Sequence, residues 1–154
     1  MDHLEDKIRF FTEKIEDVLL LTPGAILTTI PGVGIVTAAT IMSGIGDITQ
    51  FKSADQLACY CGLIPTSCSS GSFTSTRNRM AKRGQTSLAH VFYQIALVSL
   101  RCNPVLREYY LKKLSEGKPK KVAVVAVARK LVRLVYSMLK NDKSYDSTFN
   151  SKNV

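Results

Sequence analysis

Between residues 66 and 83 the sequence sets eight hydroxyl side chains directly ahead of four cations. Thr66, Ser67, Ser69, Ser70, Ser72, Thr74, Ser75 and Thr76 surround Gly71, and Arg77, Arg79, Lys82 and Arg83 follow, with Gly84 as a breaker. A hydroxyl becomes a useful nucleophile when it is exposed and aligned with its target. Guanidinium and ammonium groups beside it favour a substrate whose charge sits on phosphate oxygens. The Ser, Thr and Gly content predicts a loop over 66–76.

Other chemistries are poorly provided for. The histidines are His3 and His90 alone, so chemistry that needs a histidine pair is hard to build. The cysteines are Cys59, Cys61, Cys68 and Cys102. They form no CxxC pair and have no suitably spaced histidine, so zinc is not expected and buried structural thiols are. With no paired-cysteine framework and no signal peptide, the expected compartment is reducing and cytosolic.

A second constellation lies upstream. Leu27–Ala38 reads LTTIPGVGIVTA, with Ile30-Pro31-Gly32-Val33-Gly34 at its centre. It resembles the helix–hairpin–helix motif of DNA binders that do not read sequence. Gly32 and Gly34 are expected to permit a tight turn and a close backbone approach to phosphate, with Val33 between them. The amides that follow would open a helix, where the dipole favours an anion. A helix–helix connector with no ligand is the plainer reading of the same residues.

The elements that must position these groups read as helices. Leu4, Ile8, Phe11, Ile15 and Val18 recur at four, three, four and three, the seam of a coiled coil over residues 1–21. An ordinary amphipathic helix is the alternative. Short helices are expected from about Pro23 to Thr29 and from about Gly34 to Ser43. Ser53 with Gln56 predicts a capping box opening a helix that ends near Gly62. Longer helices are expected over Thr86–Arg101, from Asn103-Pro104 to about Gly117, and over Pro119–Lys140. The run Val122–Val127 suits a strand by propensity, but its length and the period that follows favour a buried helix. Residues 18–46 carry no charge, yet Pro23, Pro31 and five glycines break them into short buried helices rather than one membrane span. Residues 141–154 read as a disordered tail.

Charge is unevenly spread within a formal total of +9. Residues 1–22 sum to −3 and residues 77–140 to +13. A polyanionic partner is the natural explanation for the second stretch, and a merely solvated basic surface is the alternative.

Several motifs in order then carry a family resemblance. Ile30–Gly34 is followed by Gly46-Asp47, then Phe51, Lys52 and Ser53, then Gly62-Leu63 with Pro65. Ser70-Gly71 comes next, then Lys82-Arg83-Gly84, Asn103-Pro104, Tyr109-Tyr110 and Gly117–Lys121. Across roughly residues 20–140 the chain resembles the C-terminal domain of transposases of the insertion-sequence 110/116/902 family. Three departures stand out. Asn78 occupies a position that is usually glycine, Gly84-Gln85 stands for Gly-Asn, and Leu88-Ala89 for Leu-Arg.

The resemblance implies that the serine before the glycine, Ser70, is the nucleophile of DNA strand exchange, with Ser69 as the competing assignment. The helix–hairpin–helix resemblance implies contacts to DNA from Gly32, Val33 and Gly34, and Arg77, Arg79, Lys82 and Arg83 are the expected source of positive charge for the phosphate. The family resemblance further implies a guide RNA as a second nucleic-acid partner and a prokaryotic, nucleoid-associated location. Family members also carry an acidic RNase-H-like domain that holds divalent metal. Asp47 and Asp55 flank different elements and are not expected to form such a cluster. Magnesium and strand transfer are therefore expected only when that domain is supplied.

The expected whole is all-α: a coiled-coil segment over 1–21, a compact helical domain over 22–140 with the hairpin and the Ser-rich loop, and a tail. A homo-oligomer through the first helix and no membrane association are expected. The competing functions are a non-catalytic helix–hairpin–helix DNA-binding module and an oligomerisation piece.

Overall fold

The computed structural model describes residues 2–63, 69–70, 73–74 and 86–146. Six α-helices dominate: α1 (Asp2–Leu20), α2 (Ile35–Ile45), α3 (Ala54–Tyr60), α4 (Thr86–Cys102), α5 (Pro104–Ser115) and α6 (Lys120–Asn141). Two 3-10 helices, Pro23–Thr29 and Ile48–Gln50, link the early elements. The described chain is all-α apart from one short antiparallel pairing, β1 (Ser69–Ser70) with β2 (Phe73–Thr74). The segment expected to be wholly loop therefore contains a pair of two-residue strands.

The core is organised on α6, which packs against α3, α4, α5 and both 3-10 helices. Its buried residues run Ala123, Val124, Val127, Ala128, Leu131, Val132, Leu134, Val135, Met138 and Leu139. That stripe has helical period, and its burial overrides the strand propensity of the valines. Phe92 and Leu88 from α4, Ile41 and Ile45 from α2, and Leu27, Leu57 and Leu63 are fully buried beside it.

Helix ends follow the residues that cap them. Ser53 accepts from the Gln56 amide at 3.2 Å, as a capping box requires. The reciprocal bond differs: the Gln56 side chain accepts from the amide of Lys52, at 2.7 Å, one residue earlier than the motif predicts. At the other end of α3, the Gly62 amide bonds the Cys59 carbonyl and the Leu63 amide bonds that of Ala58. This paired closure locks Leu63 into the core.

Asn103 is the most consequential cap. It is 1% exposed, and its Oδ1 accepts from the amides of Val105 and Leu106. Its Nδ2 donates to the Tyr145 hydroxyl at 2.8 Å. The Tyr145 amide in turn donates to Thr29 Oγ1 at 2.8 Å. Part of the expected tail is thus a docked strap across the α4–α5 junction, and residues 147–154 lie outside the described ones. Asn103→Ala is expected to destabilise the fold by about 1–3 kcal/mol, because it removes a cap and leaves buried amides unmatched. Tyr145→Phe should cost about 1 kcal/mol by loss of one hydrogen bond. Urea unfolding checks both, and equal midpoints for wild type and Asn103→Ala would refute this account of the strap.

The apolar seam of α1 is mostly open. Leu4, Ile8, Phe11 and Val18 are each more than half exposed, whereas Leu19 is buried. The C-terminal half of α1 reaches α2, where Phe11, Ile15, Val18 and Leu19 line an apolar groove with Ala39 and Met42. No helix among the described residues is long and apolar enough to cross a membrane.

Candidate nucleic-acid interface

The Ile30–Gly34 hairpin is anchored from below by its two apolar residues. Ile30 is 1% exposed and Val33 6% exposed, and the Val33 amide closes the turn on the Ile30 carbonyl at 3.0 Å. The preceding 3-10 helix begins at Pro23, with Thr22 capping the Gly24 amide. The following helix is α2, whose first residue is Ile35 and whose cap is Gly34.

The two glycines do different jobs. Gly32 has φ +94, and a Cβ there would lie 3.2 Å from Val98 Cγ1 of α4. The neighbouring Pro31 carbonyl accepts from the buried Ser99 hydroxyl at 3.4 Å. Gly32 is therefore required by the turn and by its seat on α4. Gly34 has φ −91 and ψ 172, a conformation open to other residues. The expectation that both glycines hold restricted backbone thus applies to Gly32 alone. Among the described residues, a Cβ on Gly34 would meet nothing within 4 Å, so none of them covers the start of α2 at that point. No side chain caps that end, and α2 has no acid in its first turn. Its amides retain their partial positive charge.

Ser70 and the cations 77–83 adjoin one another in sequence. Backbone pairing puts Ser70 opposite Phe73 and Ser69 opposite Thr74. Gly71, Arg77, Arg79, Lys82 and Arg83 lie outside the described residues. The chain enters that stretch from the buried Leu63 and leaves it into α4, where Leu88 packs into the core.

Asp47 and Asp55 have structural partners rather than a shared site. Asp47 caps the second 3-10 helix by accepting from the Thr49 amide at 2.8 Å. Its hydrogen bonds to Thr49 hold its carboxyl below the ordinary carboxylate range. Asp55 takes both the Nε and Nη2 of Arg133 on one oxygen, at 3.2 and 2.8 Å, tying the start of α3 to α6. No group of three or more His, Cys, Asp or Glu suited to a metal occurs among the described residues. The thiols depart from the expected uniform burial. Cys61 is buried, with its pKa pushed up to about 12 by burial, whereas Cys59 and Cys102 are exposed.

One cluster formed between helices has only half its signature in the sequence. Lys113 and Lys130 both lie over the Tyr109 ring, with Nζ 5.4 and 4.5 Å from its centroid. Lys113 lies four residues after Tyr109 on α5, a pair that spacing can reveal, whereas Lys130 reaches the ring only because α6 packs on α5.

Known proteins resemble the chain over these same elements. Residues 24–111 match the Transposase IS116/IS110/IS902 family, a stretch that includes the hairpin, Ser70 and most of α5. An uncharacterized 43.6 kDa protein of insertion element IS110 from Streptomyces coelicolor is 36% identical over 123 residues, covering 79% of this chain and 30% of that protein. The pilin gene-inverting protein of Moraxella bovis is 29% identical over 150 residues, covering 94% of this chain and 47% of that protein. The transposase for insertion sequence element IS1111A of Coxiella burnetii is 32% identical over 119 residues, covering 75% and 32%. The chain thus spans between 30% and 47% of the lengths of these relatives. The hairpin, the Ser70 segment and the helices that hold them belong to a member of the Transposase IS116/IS110/IS902 family.

Proposed function

We propose that the chain is the DNA-gripping, C-terminal part of an insertion-sequence transposase, contributing Ser70 as the nucleophile of strand cleavage and transfer. The observation that carries the DNA role is the asymmetry of the hairpin. Gly32 is seated on α4, while a Cβ on Gly34, at the start of α2, would meet none of the described residues. A helix start without side chain or acid suits a phosphate, which needs backbone donors at close range. Such a contact positions a duplex without reading its sequence. Residues 18–46 carry no charge, so the long-range attraction must come from the basic half of the chain.

The relatives include a protein named for inverting a pilin gene and others named as transposases, which supports breaking and rejoining of DNA as the shared task. Magnesium and an acidic domain complete the reaction, and a guide RNA is a second partner under this reading. The exposed seam of α1 favours pairing with a second copy through Leu4, Ile8, Phe11 and Val18.

Fluorescence anisotropy with duplex DNA over a salt series tests the DNA role. Affinity is expected to fall by about tenfold or more for a fourfold rise in salt if only two phosphates are neutralised. Absent or salt-independent binding would defeat it. Retained binding with no strand exchange, even with the acidic domain and magnesium supplied, would instead leave a non-catalytic DNA-binding module.

A further inference from the structure

The α5–α6 hairpin concentrates positive charge with almost no acid to offset it. Residues 107–130 hold Arg107, Lys112, Lys113, Lys118, Lys120, Lys121, Arg129 and Lys130 against Glu108 and Glu116. Glu116 is already bonded to Lys113 at 2.8 Å, and that bond, with Lys112 and Lys118 close by, holds its carboxyl low. Lys130 is driven the other way: partial burial, then the nearby charge of Lys112, depress its pKa, with Glu108 opposing. Lys118, Lys120 and Lys121 are exposed. Lys120 and Lys121 open α6, whose first turn has no acid and whose cap, Pro119, offers no side-chain bond. Cations there oppose the helix dipole. The arrangement costs the isolated fold stability, and an external polyanion would relieve it.

We infer that the α5–α6 turn is a second nucleic-acid grip, which holds the phosphate backbone of duplex DNA through Lys118, Lys120 and Lys121, with Lys112 and Lys130 behind them. This inference rests on the proposal that DNA is the partner, but it shares no residue with the hairpin or the Ser70 segment. Five lysines suit backbone phosphates, since an ammonium acts as a point charge without the fork that reads guanine edges. Tyr109 is occupied by two ammonium groups, so it is not offered to an unpaired base, and the surface favours a duplex over a single strand. From Lys120 to Lys130 the helix rises about 15 Å, room for about four base-pair steps.

The test uses the full chain and short DNA duplexes of two unrelated sequences, with an RNA duplex alongside. In Lys118→Gln/Lys120→Gln/Lys121→Gln, three phosphates are no longer neutralised, and the slope of log affinity against log salt is expected to be shallower by about 2.7. The weakening should be the same for both DNA sequences, the arginine triple variant should restore the slope, and the unfolding midpoint should not fall. An unchanged slope in a chain that still binds DNA overturns this grip and leaves the proposed function standing. Weakening confined to one sequence, or to the RNA duplex, overturns it as well. A wild-type chain that binds no duplex defeats the proposed function itself.

Discussion

Ser70→Ala is expected to lower covalent protein–DNA adduct and strand transfer by about 10³-fold or more, as removal of a nucleophile does when the rest of a site remains. In the proposed step the serine hydroxyl attacks phosphorus. A phosphoserine bond forms, the P–O bond to one deoxyribose breaks, and that oxygen leaves as a hydroxyl with the proton the serine gave up. Bond energy is conserved for rejoining. The reaction is run with the acidic domain, magnesium and substrate DNA, and the adduct is read on a denaturing gel. Ser69→Ala is the matched control, since Ser69 and Ser70 are adjacent in β1. An adduct that survives Ser70→Ala but not Ser69→Ala moves the nucleophile by one residue. An adduct that survives both removes it from this segment.

The second large effect separates the two glycines of the hairpin. Gly34→Asp is expected to leave stability unchanged or raise it by a few tenths of a kcal/mol, because aspartate is a good cap and favours a helix start. The same change places a negative charge where the phosphate is proposed to sit, and DNA affinity is expected to fall about tenfold or more. Gly32→Ala should act in reverse. It forces alanine to φ +94 and presses a methyl against Val98, at a cost of about 1–3 kcal/mol. DNA affinity per folded molecule should change little. Thermal melts and anisotropy on the two variants check the pair, and a Gly34→Asp protein with unaltered affinity would remove the hairpin from the DNA surface.

Local chemistry was the most legible part of the sequence. Asn103-Pro104 marked the start of α5 and Ser53 that of α3, since a cap and its amides lie within three residues. The valines of α6 were resolved by period rather than propensity, because burial against five elements decides a helix of 22 residues. Long-range partnerships were not legible. Arg133 and Asp55 are separated by 78 positions, and nothing in either neighbourhood announces the other. Tyr145 sits in polar sequence and reads as tail, but its hydroxyl and amide find Asn103 and Thr29 only once the helices have packed. Gly32 and Gly34 look alike on paper. Only the seat of one on α4, with no described residue against the other, tells them apart.

The strap also bears on the order in which the molecule is made. Thr29 waits for a partner 116 positions downstream, and the side-chain amide of Asn103 waits for one 42 positions on. On the ribosome, α2 through α5 are synthesised before either bond can form, and a chain emerging from its N-terminus gathers its partners in that order. The Thr29–Tyr145 bond is therefore among the last to close. Until Tyr145 arrives, the junction of α4 and α5 has a cap but no clamp, so the fold closes only after the whole of α6 has been made.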